Sequence, residues 1–157
     1  MNEAASPSGA GDIADLYSRT LRELARDPAH QGRPASFDAT ARGDNPMCGD
    51  RVDIYVSLDG ERIREARHVA RGCEICQASA SLLTALVPGM TRAETTDLGR
   101  RAAGIAKTGI GDDSNDGLRR LSVFAVVHKF PSRVKCVTLA WNALDAALAG
   151  VKETSSE

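Results

Sequence analysis

Alternation over Arg51 to Leu58, with Val52, Ile54, Val56 and Leu58 on one side and Arg51, Asp53, Tyr55 and Ser57 on the other, predicts a half-buried strand. Asp59-Gly60 is a hairpin signal, so Ile63 to Ala70 is expected to return antiparallel, and Ala35 to Arg42 reads as a short strand upstream. Elsewhere the apolar period is helical. Ile13, Leu16, Tyr17, Leu21 and Leu24 predict an amphipathic helix with Asp12 as N-cap, ending near Asp27-Pro28. A second helix opens at Gly72-Cys73, with a small face of Ala78, Ser79, Ala80 and Ser81, an apolar face of Leu82, Leu83 and Leu86, and a stop at Pro88-Gly89. Thr91 with Glu94 makes a capping box before a stripe of Leu98, Ala102 and Ile105. Leu121, Phe124, Val127 and Phe130 predict a helix from Leu118 to Lys129, broken by Pro131. A last helix, Val134 to Ala149, would bury Val137, Trp141, Leu144 and Leu148.

At 157 residues and 42% hydrophobic, the chain suits a single domain with its own core. Residues 12–150 are assigned to it, 1–11 to a disordered leader rich in Ala, Ser, Gly and Pro, and 151–157 to a polar tail. Lysine and arginine total 20 against 21 acidic residues, a net charge of -1, so no global charge calls for nucleic acid or an anionic membrane as partner. Neither an apolar leader nor a membrane-length apolar run is present, which points to a soluble, cytoplasmic protein.

Four cysteines in a chain of that kind are more naturally thiols or ligands than a disulfide framework. They fall in three stretches: Asn45-Pro46-Met47-Cys48-Gly49-Asp50, Gly72-Cys73-Glu74-Ile75-Cys76, and Phe130-Pro131-Ser132-Arg133-Val134-Lys135-Cys136. Thiolates and one carboxylate converging from separate segments would make a tetrahedral zinc or iron site, the carboxylate being the more exchangeable ligand. Cys73 at a helix N-terminus and Cys136 beside Lys135 and Arg133 both gain stabilisation as thiolates. Against this, a lone cysteine is more often a small buried hydrophobe than a ligand. Cys73 and Cys76 form a Cys-x-x-Cys, but after a hairpin rather than in the βαβ setting of a thioredoxin-like motif. Asp112, Ser114, Asp116 and Gly117 imitate a calcium loop whose closing glutamate position holds Val123, and they read as a solvated acidic loop. His30, His68 and His128 are scattered and suit surface or packing roles.

The three ordered cysteine stretches, with Gln77-Ala78-Ser79-Ala80-Ser81 after the second and Val137-Thr138-Leu139-Ala140-Trp141 after the third, resemble the U-type iron–sulfur cluster assembly family (IscU, SufU and the NifU N-terminal domain) over about Leu16 to Ala149. Lys135 stands where the IscU branch carries a histidine ligand, and the long Cys73-to-Cys136 segment resembles the insertion typical of the SufU branch. The resemblance implies an α+β fold of SufE/IscU-like architecture, a small antiparallel sheet of about three strands packed with helices. It implies zinc on Cys48, Asp50, Cys73 and Cys136. Cys48 would accept sulfane sulfur from a SufS-like cysteine desulfurase, whose histidine takes over at zinc, and Arg133 would stabilise thiolate or persulfide. Cys76 stands where family members carry a non-thiol residue; it is either inert, a disulfide partner of Cys73, a sulfur relay or an extra ligand.

The leading expectation is therefore a zinc-dependent sulfur acceptor, in enzyme terms a sulfurtransferase, delivering to downstream cluster assembly or apoprotein acceptors. A scaffold that holds iron or a transient [2Fe–2S] cluster on Cys48, Cys73 and Cys136 is the alternative, and a structural zinc module used for interaction is the third reading.

Overall fold

The computed structural model describes residues 9–155, with side chains described from residue 17 onward. Its elements run α1 (Gly9–Arg26), β1 (Ala39–Asn45), β2 (Asp50–Asp59), β3 (Arg62–Arg71), α2 (Glu74–Leu86), α3 (Arg92–Thr108), α4 (Asp116–Leu121), a 3-10 helix (Ser122–Lys129), a 3-10 turn (Pro131–Arg133), α5 (Val134–Leu148) and β4 (Glu153–Ser155). The expected α+β architecture is present, a small sheet with helices packed against it.

Alternation holds in the first half of β2, and Val52, Ile54 and Val56 have no exposed surface. Further along, Tyr55 and Ser57, expected outward, are also buried, and Leu58, expected inward, is half-buried, at the register shift between Ser57 and Leu58. β1 and β3 flank it antiparallel, in a sheet of order β3-β2-β1-β4. Helix α5 lies on β1 and β2, α2 packs on β3 and α5, α1 packs on α2, and α3 covers α5 and the 3-10 helix. The apolar faces of α2 and α5 thus meet in one core, where Leu82, Leu83, Val137, Leu139 and Leu144 are buried. His68, on β3, is a packing residue: it is buried, with Nδ1 3.2 Å from Thr84 Oγ1.

Four expectations need correction. The sheet has four strands, because part of the expected polar tail pairs with β1 as the parallel strand β4. The reason lies at Gly150, where φ +78 lets the chain reverse after α5; Gly150 N–H reaches Ala147 O at 3.1 Å and Val151 N–H reaches Ala146 O at 2.8 Å. This Schellman closure turns the tail back along the sheet, and Arg42 N–H then donates to Lys152 O at 2.8 Å. Helix α1 begins at Gly9, so Asp12 sits within the helix and is not its cap; of the expected leader, residues 1–8 lie outside the described residues.

Strand β1 starts at Ala39 rather than Ala35. Just before it, Asp38 N–H still donates to Val56 O at 2.8 Å, but the next backbone donor, Leu58 N–H, goes to the Asp38 carboxylate at 2.6 Å, and Phe37 packs edge-on to Tyr55. Finally, the helix expected over Leu118 to Lys129 starts two residues earlier, capped by Asn115, and tightens at Ser122 into a 3-10 helix. Leu118, Leu121, Phe124 and Val127 recur every three residues and are buried. A 3-10 helix keeps that period on one face, whereas an α-helix lets it drift. Phe130, the next in the series, is exposed.

Candidate metal centre

The three cysteine stretches meet at one end of the sheet. Between β1 and β2 the chain turns through Pro46 to Gly49, with Cys48 N–H and Gly49 N–H both donating to Asn45 O, at 3.2 and 2.9 Å. Cys48 is exposed on this turn, and Asp50, the first residue of β2, is buried. Cys73 follows β3 as the N-cap of α2, its Sγ accepting from Cys76 N–H at 3.4 Å. Cys136 is buried in the first turn of α5. Two helix N-termini therefore face the cluster, and their positive ends favour anionic sulfur and carboxylate there.

One atom of each of Cys48, Asp50 and Cys136 lies within 4.8 Å of the others. Cys73 stands just outside that tight group and is tied to it by two contacts. Its backbone N–H donates to Asp50 Oδ1 at 2.9 Å, and its Sγ is 3.7 Å from Asp50 Oδ2. Gly72 makes this approach possible. With φ +124 it adopts a backbone that side-chain-bearing residues rarely take, and a Cβ there would collide with the Asp50 carboxylate and come within 2.8 Å of Asp50 Cα.

Electrostatics separate the thiols. The Cys136 thiol donates to the Cys73 sulfur, which lowers Cys73 from 9.0 to about 7 against the opposing effects of burial and Asp50. Holding that proton, with burial and the nearby carboxylate adding to the effect, drives Cys136 upward. Cys76 is also pushed up, chiefly by burial and then by Asp50, Cys73 and Cys48, which keeps it a protonated thiol in the core. Arg133 is exposed at the N-cap of α5, three residues before Cys136, and makes no capping hydrogen bond with its side chain. The acidic loop is occupied locally: Asp112 accepts from Ser114 N–H at 2.9 Å and Ser114 Oγ–H at 2.6 Å.

Three sulfurs and one carboxylate, from a turn, a strand and two helix starts, are a donor set that suits tetrahedral zinc, and the same sulfurs suit iron. The geometry groups Cys48, Asp50 and Cys136, ties Cys73 to them through Asp50, and buries Cys76 in the core. What the sequence did not disclose is the dependence of Asp50 on Gly72; the only signal was a glycine directly before a helix-opening cysteine.

The model of the NifU-like N-terminal domain matches residues 16–156. The chain belongs to this family. A zinc-dependent sulfurtransferase SufU from Bacillus subtilis is 31% identical over 138 residues, covering 88% of this chain and 92% of that protein. The iron–sulfur cluster assembly scaffold protein IscU of Streptococcus pyogenes is 33% identical over 136 residues, covering 85% of this chain and 82% of the relative. Among solved structures, a Fervidobacterium islandicum protein described as a candidate cluster assembly scaffold for the SUF system superposes with a TM-score of 0.77 at 28% identity, covering 85% of this chain and 97% of its own. Sequence relatives thus carry both SufU and IscU names, and the fold is shared with the Fervidobacterium islandicum protein.

Proposed function

We propose that this NifU-like protein accepts sulfane sulfur on Cys48 from a SufS-like cysteine desulfurase and passes it to downstream cluster assembly or apoprotein acceptors, with Cys48, Asp50, Cys73 and Cys136 holding zinc. One observation carries the reading: Cys48 alone among the four thiols is exposed, on a turn, while its ligand atom stays within 4.8 Å of those of the buried Asp50 and Cys136. That asymmetry suits a sulfur that both binds and departs. The naming of the Bacillus subtilis relative as a zinc-dependent sulfurtransferase supports it.

When bound, zinc would keep its thiolate ligands deprotonated at neutral pH. The chain's own residues do the rest. Asp50, fixed by Cys73 N–H, is the harder and more exchangeable donor, while Cys73 and Cys136 are anchored on two helices. Cys48 thiolate attacks the outer sulfur of the donor's persulfide, R–S–SH. The new bond is Cys48–S–SH, the donor's S–S bond breaks, and R–S⁻ leaves. Arg133, exposed at the start of α5, supplies positive charge toward the anionic sulfur.

A second reading is favoured by the 33% identical relative named as a scaffold: the same thiols receive a [2Fe–2S] cluster as cargo, and Asp50 keeps it labile. The two are separated by anaerobic incubation with a cysteine desulfurase, L-cysteine and iron. Mass-spectrometric persulfide on Cys48, absent from Cys48→Ala, supports acceptance of sulfur; a sulfur-to-iron charge-transfer spectrum without persulfide supports the scaffold. If neither develops, the centre is a structural zinc module.

A further inference from the structure

Asn45 ends β1 at the entry to the Cys48 turn, 1% exposed, and both polar atoms of its side-chain amide are buried with no hydrogen-bond partner among the described residues. Such groups are rare, because an amide removed from water and left unpaired is costly. An asparagine at the start of a turn commonly satisfies the turn's own N–H groups with its side chain. Here Cys48 and Gly49 N–H go to the Asn45 backbone carbonyl, so the amide is left for another acceptor or donor.

Its position says where that partner lies. Ala41, Gly43 and Asn45 are the inward, buried positions of β1, and Asn45 is the register partner of Asp50. Two residues back, Gly43 lies under α5: a Cβ on it would sit 3.0 Å from Leu139 Cδ1. Stepping from Gly43 to Asn45 advances about 6.6 Å along the strand, and stepping from Leu139 to Cys136 retreats about 4.5 Å along the helix. Both steps lead to the same place, since Asp50 and Cys136 bring ligand atoms within 4.8 Å of each other. Asn45 therefore shares the Asp50 side of the sheet, and the two residues line one cavity.

We propose that Asn45 is a positioning residue of the centre, its amide N–H donating to the Cys136 thiolate–Asp50 carboxylate edge when metal is bound. The inference rests on the reading of these residues as a metal centre. Cys136 is buried, so as a metal-bound thiolate it would be an anionic sulfur removed from water, where a fixed N–H is stabilising.

The test compares wild type, Asn45→Ala and the volume-filling Asn45→Leu in two measurements: zinc affinity by chelator competition at a fixed pH, and the Tm of the metal-free proteins. Both variants are expected to hold zinc about 10–100-fold more weakly, the usual cost of losing a hydrogen bond behind the ligands. Their metal-free Tm should be unchanged or higher, because they discard an amide that nothing satisfies. Cobalt substitution gives a third readout, the sulfur-to-cobalt charge-transfer bands, expected to shift in both variants. Zinc affinity in Asn45→Leu within twofold of wild type overturns the proposal, as does a metal-free Tm that drops in both variants, which would make the amide a support of the fold. A wild-type protein that binds neither zinc nor cobalt through sulfur overturns the metal-centre reading and this proposal with it. Normal wild-type binding with unaffected variants overturns the role of Asn45 alone.

Discussion

The two ends of the candidate ligand set are built differently. Cys136 is buried in the first turn of α5, a helix that lies on the sheet and carries much of the core, whereas Cys48 is exposed on a turn beside Met47, itself 80% exposed. A sulfur fixed by a helix keeps its place when its partners change; a sulfur on a hairpin turn moves at little cost to the fold. The contrast fits the proposed division of labour, with Cys73 and Cys136 on helices as the holding side and Cys48 as the departing side.

The largest expected effect comes from exchanging the two. Cys48→Ala should drop persulfide uptake by about 100-fold or more, because the nucleophile is gone, while stability stays within about 0.5 kcal/mol as for other exposed sites. Cys136→Ala should instead destabilise by about 1–3 kcal/mol as a buried truncation and release zinc. Urea melts of both metal-free variants, set beside persulfide mapping, check the pair; equal destabilisation would erase the proposed distinction.

Next in size is Gly72→Ala, which leaves every ligand in the sequence and attacks only their placement. An added Cβ at φ +124 must push Asp50 away from Cys73 N–H. The expected cost is about 1–3 kcal/mol of stability for a strained site and about 10–100-fold in zinc affinity for a misplaced ligand. Chelator competition and a melt measure both, and wild-type zinc affinity would show that Asp50 does not depend on this glycine.

These elements also show what was legible beforehand. The alternation in the first half of β2, the capping box at Thr91 and Glu94, and the cysteine that opens α2 are local signals, and each is in place. Pairing of residues 153–155 with β1 is not local. It depends on Gly150 turning the chain and on an unfilled strand edge, and a polar tripeptide announces neither. The 3-10 helix was legible in principle, since its apolar residues repeat every three positions, but a period of three over a short run is easily taken for the helical 3.6. For the site, the order of the cysteine stretches pointed to side chains that the fold brings to one end of the sheet. Their separation into exposed and buried members, and the Gly72 approach, needed the packing of β3 against the start of β2.

A smaller effect tests the electrostatics of the holding side. In metal-free protein Cys73 titrates near 7, below its ordinary 9.0, because Cys136 donates to it. Its alkylation rate by iodoacetamide should climb with pH up to about 7 and then level, while an unperturbed thiol keeps climbing to about 9. A depressed folded-state value means the unfolded chain holds the proton to higher pH. The stabilisation is therefore full above about pH 9 and disappears as pH falls through about 7. The Tm difference between wild type and Cys73→Ala should grow accordingly from pH 6 to pH 9, and Cys136→Ala should return the Cys73 midpoint toward 9. A Cys73 midpoint unmoved by Cys136→Ala would detach the two thiols.

The smallest effect is expected one turn further along α2. Cys76 differs from Cys73 by three residues, yet it is fully buried and its thiol is driven up by burial, so it should stay unalkylated where Cys73 reacts. Cys76→Ala should then cost about 1–2 kcal/mol, the packing of one small buried side chain, and leave zinc affinity and persulfide uptake on Cys48 within twofold of wild type. The two quantities must separate for the contrast to stand. A variant that melts normally but loses zinc or sulfur uptake would move Cys76 from the core into the working set, and the division between departing and holding thiols would have to be redrawn around three helix-borne sulfurs instead of two.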